Sequence, residues 1–350
     1  MKILLLAPNY LNLYLPILQQ LSERGNTCFV IFDENLICDP YFENKSFLGM
    51  IKNHYHRFQW KRNRKYESYW QYKIESTPEL SRQYDILFVI NGCLFHPYLL
   101  NHLKTINPLI RSYLYVWDSS RYYQYFRFYK SFDKVYTFDL KDSKKYKVEF
   151  LPFYWIQMST PIIDEKKYFM SIVGSNHDGR LALVSTIANQ LKHIGKCNNY
   201  FCLFSERRDL RPEELASYEK WSRDGTHPQE LHDFNIILGK EMSEFITYQS
   251  IPIEDTIRIM AESEVVLDTD RETQSGTTPR VIWALALGKK IVSTNKNLKM
   301  MPFYDSNRIS IIDRFNPVLD RDFLLKPIND LVIPDYVQQL RIDRWVNFIK

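Results

Sequence analysis

Apolar residues fall along this chain in short unbroken runs, separated by polar turns and by stretches of helical spacing. The first run, Lys2–Ala7, is broken by Pro8-Asn9 and followed by a helical pattern from Asn12 to Arg24. Asn12 is the residue type that caps a helix N-terminus, and Gly25 stands where a left-handed residue ends one. A second run, Cys28–Phe32, follows at once. Strand, helix and strand joined by short turns form a βαβ unit, which predicts a parallel sheet covered on both faces. Further runs at Asp85–Ile90, Ser112–Trp117 and Lys134–Phe138 continue the series and end in Asn91-Gly92, Asp118-Ser119 and Asp139. Open parallel sheets collect ligands at the carboxyl ends of their strands, so these endings carry the candidate chemistry.

The stretch Leu151–Lys167, with Pro152 and Pro161 and no clean period, reads as a connection. A second α/β series follows: strand Tyr168–Val173, a loop through Gly174 and Gly179, a helix from Arg180 to His193, and strand Tyr200–Phe204. It continues with helix Glu254–Ser263, strand Glu264–Asp268, helix Pro279–Leu287 and strand Lys290–Thr294. The pattern predicts an α/β chain of two Rossmann-like domains facing a central cleft, residues 1–155 and 168–335. A last apolar-periodic segment, Tyr336–Ile349, reads as one helix packing across the join, so that 336–350 forms a third element.

Composition narrows the class. A chain of 350 residues has a length prior of about two domains and needs neither disulfides nor metal to build its core. Ten glycines against 24 tyrosines and 22 phenylalanines argue for dense packing. A net charge of +5 permits anionic partners without demanding them. Five cysteines with no C-x-x-C pair fit reduced thiols and a cytoplasmic setting. The opening apolar run is too short for a signal peptide, and no stretch reaches the roughly 18 apolar residues of a membrane span.

The most informative segment is VVLDTDRETQSGTTPRVIWALALGKKIVSTN, Val265–Asn295. A buried strand ends at Asp268, a polar loop runs through Gln274-Ser275-Gly276-Thr277-Thr278, and a helix begins at Pro279, where a missing N–H costs nothing. Backbone N–H groups at a helix N-terminus carry partial positive charge and suit a phosphate, to which Arg280 would add a bidentate contact. The plain alternative is an N-cap by Thr277 or Thr278 with Arg280 solvated.

The order strand, D-x-x-x-x-x-Q-S-G-x-T-x-R, helix, A-L-x-L-G-K-K, strand resembles the donor-binding half of bacterial GT-B glycosyltransferases, in particular those that build lipopolysaccharide and capsular polysaccharide. Similar to the same proteins are Tyr115-Val-Trp-Asp118-Ser119, the stretch from Phe132 to Asp142, Phe150-Leu-Pro-Phe-Tyr154, and Ile172-Val-Gly174-Ser-Asn-His177-Asp-Gly-Arg180. The resemblance implies a GT-B fold with the acceptor domain first and the donor domain second. It implies transfer of a sugar from a nucleotide-sugar donor to a cell-surface glycan, with neither metal nor cofactor. Carried over by position, Gly174 and Arg180 lie near the donor phosphates, and Gln274, Ser275, Gly276, Thr277 and Arg280 form the nucleotide cradle. Where the family has an acidic residue before A-L, this chain has Trp283, which cannot accept ribose hydroxyl hydrogens. That leaves three alternatives: an unusual donor, a donor gripped from Asp268, Asp270 or Glu272 instead, or no donor bound at all.

Asp118, at a strand end ahead of the helix-capping pair Ser119-Ser120, is either a cap or the general base toward an acceptor hydroxyl. Asp139 and Asp142 read as loop caps. The triplet Asp268-Thr269-Asp270 has the form of a metal-holding D-x-D, which the GT-B resemblance does not call for. Among the histidines, His96 and His177 occupy ligand-side loops, with His177 the phosphate or sugar contact, and His54-x-His56 lacks a third zinc partner. Lys52–Lys65 sets six Lys and Arg among aromatic residues, which fits a solvated helix face or docking to an anionic membrane that carries a lipid-linked acceptor. Binding of single-stranded nucleic acid through that stretch is a weaker rival, disfavoured by the mild net charge. The alternative function within the same fold is a non-catalytic glycan-binding subunit.

Overall fold

The computed structural model describes residues 1–9, 12–32, 66–121, 126–157, 166–271, 274–327 and 332–350. Lys52–Lys65, with His54 and His56, and Glu272 lie outside the described residues. The chain forms two units. The first comprises Met1–Phe153, Thr273–Gly276 and Ile342–Lys350, and the second comprises Tyr154–Glu272 and Thr277–Arg341.

The first unit is built on six parallel strands, β1 (Lys2–Ala7), β2 (Thr27–Phe32), β3 (Ile86–Ile90), β4 (Arg111–Val116), β5 (Lys134–Thr137) and β6 (Glu149–Phe150), in the order β2-β1-β3-β4-β5-β6. The inner strands β1 and β3 are apolar almost throughout because both faces of the sheet are covered. Helices α1 (Leu15–Glu23), α2 (66–76), α3 (Pro97–Ile106) and α4 (Leu140–Tyr146) make the connections. Trp70 on α2, fully buried, donates its indole N–H to Leu94 O at 2.7 Å and anchors the core beneath. Helix α1 begins three residues later than its apolar period predicts. Asn12 takes a left-handed conformation (φ 54°) and Leu15 N–H closes a turn onto its carbonyl, while Gly25 ends the helix at φ 77° as expected.

The second unit repeats the plan with β7 (Tyr168–Ser175), β8 (Asn199–Phe204), β9 (Ile246–Thr247), β10 (Ser263–Asp268), β11 (Lys290–Ser293) and β12 (Ile309–Ile311), ordered β12-β11-β10-β7-β8-β9, all parallel. Its helices are α5 (Arg180–His193), α6 (Pro212–Asp224), α7 (Pro228–Ile237), α8 (Ile253–Ala261), α9 (Pro279–Ala286), α10 (Arg321–Leu325) and α11 (Asp335–Gln339). The lysines after Gly288 are structural. Lys289 Nζ donates to Ala261 O at the end of α8, and Lys290 Nζ donates to Phe323, Leu324 and Lys326 carbonyls at the end of α10.

Two expectations need correction. The segment Tyr336–Ile349 is not one helix but α11, α12 (Ile342–Trp345) and a 3-10 turn, Val346–Phe348. The break is made by Trp155, whose backbone N–H takes the Leu340 carbonyl at 3.0 Å and so removes an acceptor the helix would need. Beyond it the residues belong to the first unit, where Trp345 donates to Pro152 O and packs edge-on against Tyr115. Ser119 and Ser120 open no helix among the described residues. Ser120 instead gives both its N–H and its hydroxyl to Asp142, each at 2.6 Å.

Among the described residues no helix is long and apolar enough to cross a membrane. Cys28, Cys197 and Cys202 are free thiols.

Candidate functional site

In the second unit the chain leaves β7 toward β8 on one side and leaves β10 toward β11 on the other, and β7 and β10 are neighbours. Their carboxyl ends therefore flank a topological switch point, where parallel α/β sheets hold ligands. The β7 end supplies Gly174-Ser175-Asn176-His177-Asp178-Gly179, with Asp178 and Gly179 both left-handed (φ 53° and 69°), and α5 starts at Arg180. The β10 end supplies Asp268-Thr269-Asp270. Helix α9 starts beside them, with Thr278 as N-cap accepting from Val281 N–H and Pro279 in its first turn.

Three arginines converge here. Arg180 is 4% exposed, and among the described residues its guanidinium donates to backbone carbonyls, Nη1 to Ser175 O and Nη2 to Thr269 O at 2.9 Å. Its Nε is buried without a partner. Burial and the neighbouring Arg280 charge push its pKa down to about 9. Arg280 donates through Nε and Nη2 to Val173 O (3.2 and 3.0 Å) and through Nη1 to Asp268 at 2.7 Å. Both guanidiniums press on Gly174, where a Cβ would stand 2.7 Å from Arg280 Nη2 and 3.1 Å from Arg180 Nη1. Arg314, which follows β12, joins the three loops. It donates to Asp270 Oδ1 at 2.8 Å and to the Asp178 carbonyl at 3.3 Å, and Asp270 also takes the Thr294 hydroxyl at 2.6 Å.

The carboxylates of the D-x-D triplet are thus both engaged by protein groups. Asp268, wholly buried, accepts from Arg280, Thr278 and Ser293, and Asp270 accepts from Arg314 and Thr294. Burial raises the Asp270 pKa. Among the described residues no cluster of three His, Cys, Asp or Glu side chains is placed to hold a metal ion. Among the described residues, Arg180, Arg271, Arg280 and Arg314 lie near Asp178, Asp268 and Asp270, with Asp233 of α7 on Asn176. The Thr269 hydroxyl after β10 and the Thr277 hydroxyl ahead of α9 are buried with no hydrogen-bond partner among the described residues. The arrangement can take an anion with several acceptor oxygens, because buried donors are left over from the protein's own hydrogen bonds.

Of the residues singled out in the sequence, Gly174, His177, Arg180, Thr277 and Arg280 gather in this unit, and Asp118, Gln274, Ser275 and Gly276 belong to the first. Ser275 gives its backbone N–H to Asp139 Oδ2 at 2.8 Å and its hydroxyl to Asp139 Oδ1, so that N–H is engaged by a carboxylate. Gly276 lies against Phe138, whose ring a Cβ would enter. Asp139 also caps α4 through Lys141 and Asp142 N–H. Asp118, half-buried at the end of β4, accepts from Asn91 Nδ2 at 3.0 Å and Gln274 Nε2 at 3.3 Å. Asn91 is left-handed (φ 59°), 3% exposed, and takes Trp117 N–H on its Oδ1. His96 caps α3, accepting from Tyr98 N–H, and burial lowers its pKa. Trp283 is a packing residue whose indole donates to Tyr154 O at 3.0 Å.

Sequence reasoning passed over Arg314 and the Asp139–Ser275 clasp. Arg314 lies outside every motif, and the clasp joins positions 136 apart, which local pattern does not reveal. Asn91 was visible only as a strand end.

No protein-family model matches the sequence, and no curated protein matches it. Solved structures do. The glycotransferase of kitacinnamycin is similar over 99% of this chain and 95% of that one, at 11% identity and a TM-score of 0.50. Sucrose-phosphate synthase from Thermosynechococcus elongatus is similar over 90% and 86%, at 9% identity and a TM-score of 0.47. The UDP-forming α,α-trehalose-phosphate synthase from Burkholderia vietnamiensis is similar over 99% and 96%, at 10% identity and 0.47. At such identities the likeness speaks to fold alone. The likeness to the glycotransferase of kitacinnamycin, together with the two six-stranded parallel sheets, shows the two-domain Rossmann-like α/β fold expected from the sequence.

Proposed function

We propose that this chain is a glycosyltransferase that moves a sugar from a nucleotide-sugar donor to a cell-surface glycan of the lipopolysaccharide or capsular type. The observation that carries the reading is Arg180, a guanidinium buried at the switch point of the second unit whose hydrogen bonds, among the described residues, go to backbone carbonyls, with an unpartnered Nε and Arg280 beside it. Burying such a charge opposes folding, since the nearby Asp268 and Asp178 offset only part of its cost, and a diphosphate would supply further counter-charge. Departure of the nucleoside diphosphate adds negative charge, which Arg180, Arg280 and the N-terminal turns of α5 and α9 stabilise more in the transition state than in the bound donor. Thr277 and Gly174 shape the same seat, Gly174 by letting both guanidiniums approach. Asp118, held by Asn91 and Gln274, is the carboxylate we assign to the acceptor hydroxyl proton.

The reaction as proposed needs no bound metal, since Asp268 and Asp270 are already neutralised by Arg280 and Arg314. The lipid-linked acceptor and membrane-surface location rest on the Lys52–Lys65 stretch and the family resemblance. The decisive assay measures nucleotide released from a panel of nucleotide sugars, with and without glycan acceptor and with and without chelator. Release that requires acceptor and survives chelation supports the reading. Binding without turnover favours the glycan-binding subunit, and no binding at all removes both.

A further inference from the structure

The phosphate reading leaves unused the side-chain pair on the β7–α5 turn, His177 and Asp178. His177 Nδ1 lies 3.1 Å from Asp178 Oδ2. Burial would raise the Asp178 pKa, but the His177 contact and the Arg271 and Arg180 charges outweigh it and hold the carboxyl below its usual range. An ionised carboxylate only accepts hydrogen bonds, so Nδ1 must carry the proton. The ring itself stays neutral at physiological pH, because burial and then the Arg180 charge push its pKa down to about 4. A neutral imidazole protonated on Nδ1 offers a lone pair on Nε2. That atom has no partner among the described residues. The side chain is 22% exposed, enough to be reached.

The charged groups around this turn are Arg180 and Arg271, Arg314 on the Asp178 carbonyl, and Asp233 of α7, which holds Asn176 at 3.1 Å. The arginines are donors only. A phosphate oxygen has no hydrogen to give and would meet the Nε2 lone pair with repulsion, whereas a hydroxyl would donate to it. On the premise of the donor reading above, we infer that His177 accepts a hydrogen from a hydroxyl of the donor's ribose or sugar at Nε2, and so reads the donor's hydroxyl pattern without ligating its phosphates. Asp178 is its positioning residue, fixing the tautomer.

The test is titration calorimetry on the full chain. Wild type, Arg180→Met, His177→Leu and His177→Gln are titrated with the diphosphates of the common nucleosides, then with the 2′-deoxy and 3′-deoxy forms and the nucleotide sugars of the best binder. His177→Leu should weaken binding about threefold to tenfold, the range for one neutral hydrogen bond. The ligand lacking the relevant hydroxyl should bind His177→Leu and wild type alike. His177→Gln, which retains an acceptor, should recover most of the loss, and thermal melts confirm that both variants fold. If the deoxyribose forms lose affinity, the hydroxyl is on the ribose, and if only a nucleotide sugar discriminates, it is on the sugar. Runs in two buffers of different ionisation enthalpy should show the same proton uptake for wild type and His177→Gln. The inference is overturned if wild type takes up a proton that His177→Gln does not, since a charged imidazole would then be meeting phosphate. Unchanged affinity of His177→Leu, alongside lost affinity of Arg180→Met, also overturns it while leaving the donor reading standing. A wild-type chain that binds none of these ligands overturns both.

Discussion

Replacing Arg180 by Met should make the ligand-free protein more stable while removing its affinity for nucleotide. The guanidinium is buried, and its pKa falls from the ordinary arginine value to about 9. At 1.36 kcal/mol per pKa unit, that displacement is about 5 kcal/mol of opposition to folding while the group is charged. The sign follows from linkage. The folded pKa lies below the unfolded one, so the opposition is fully present at neutral pH and is relieved only as pH climbs from about 9 toward the ordinary arginine pKa. Met fills much of the same volume without charge. Against the gain stand two lost hydrogen bonds, to Ser175 O and Thr269 O, at about 1 kcal/mol each. The net is about 2–3 kcal/mol in favour of the variant, or a rise of roughly 5 °C for a domain of this size. In a thermal-shift assay wild type should gain about 2.7 kcal/mol from a nucleotide diphosphate at 100 times its Kd, and the variant should gain nothing. A lower melting temperature with an undiminished nucleotide shift would refute the reasoning, because Arg180 would then be a structural tie.

Gly174→Ala places a methyl 2.7 Å from Arg280 Nη2, so nucleotide affinity should fall at least tenfold with little change in fold by circular dichroism. Asp139→Ala removes an N-cap and both Ser275 bonds and should lower stability by about 2 kcal/mol in urea melts, whereas Phe138→Leu should partly tolerate a Gly276→Ala change that is damaging alone. Burial would raise the Glu214 pKa, but the Arg208 and Arg211 forks prevail and hold it well below the carboxylate range. Its contribution is therefore present above the ordinary Glu pKa and lost as pH falls, so a Glu214→Gln deficit seen at pH 7 in denaturant titrations should shrink toward zero in acid.

Local rules revealed the frame and much of one site. Helix α5 begins and ends where Gly179 and the apolar period place it, and strand ends predicted from polar breaks are within a residue or two of those observed. Gly174 and Arg180 were legible through the family resemblance and Arg280 through the helix start at Pro279, and the structure sets the three side by side. Less legible was everything fixed by distant partners. Leu340 ends a helix because a tryptophan far upstream claims its carbonyl, and Ser120 serves Asp142 where a cap was expected. Ser275, with a residue type and position that fit a phosphate loop, is held by Asp139, and Trp283 is buried for packing. In each case tertiary contacts decided among options that local propensity left equal.

The partition of the chain into its two units bears on how the protein can be taken apart. The path changes unit four times, at 153/154, 272/273, 276/277 and 341/342. A single cut therefore yields no faithful half. A chimera that grafts a foreign second half onto residues 1–153 imports its own version of 273–276 and leaves 342–350 behind. Recombination between relatives should succeed when the residue at 139 travels with the residue at 275, and fail when the exchange separates them.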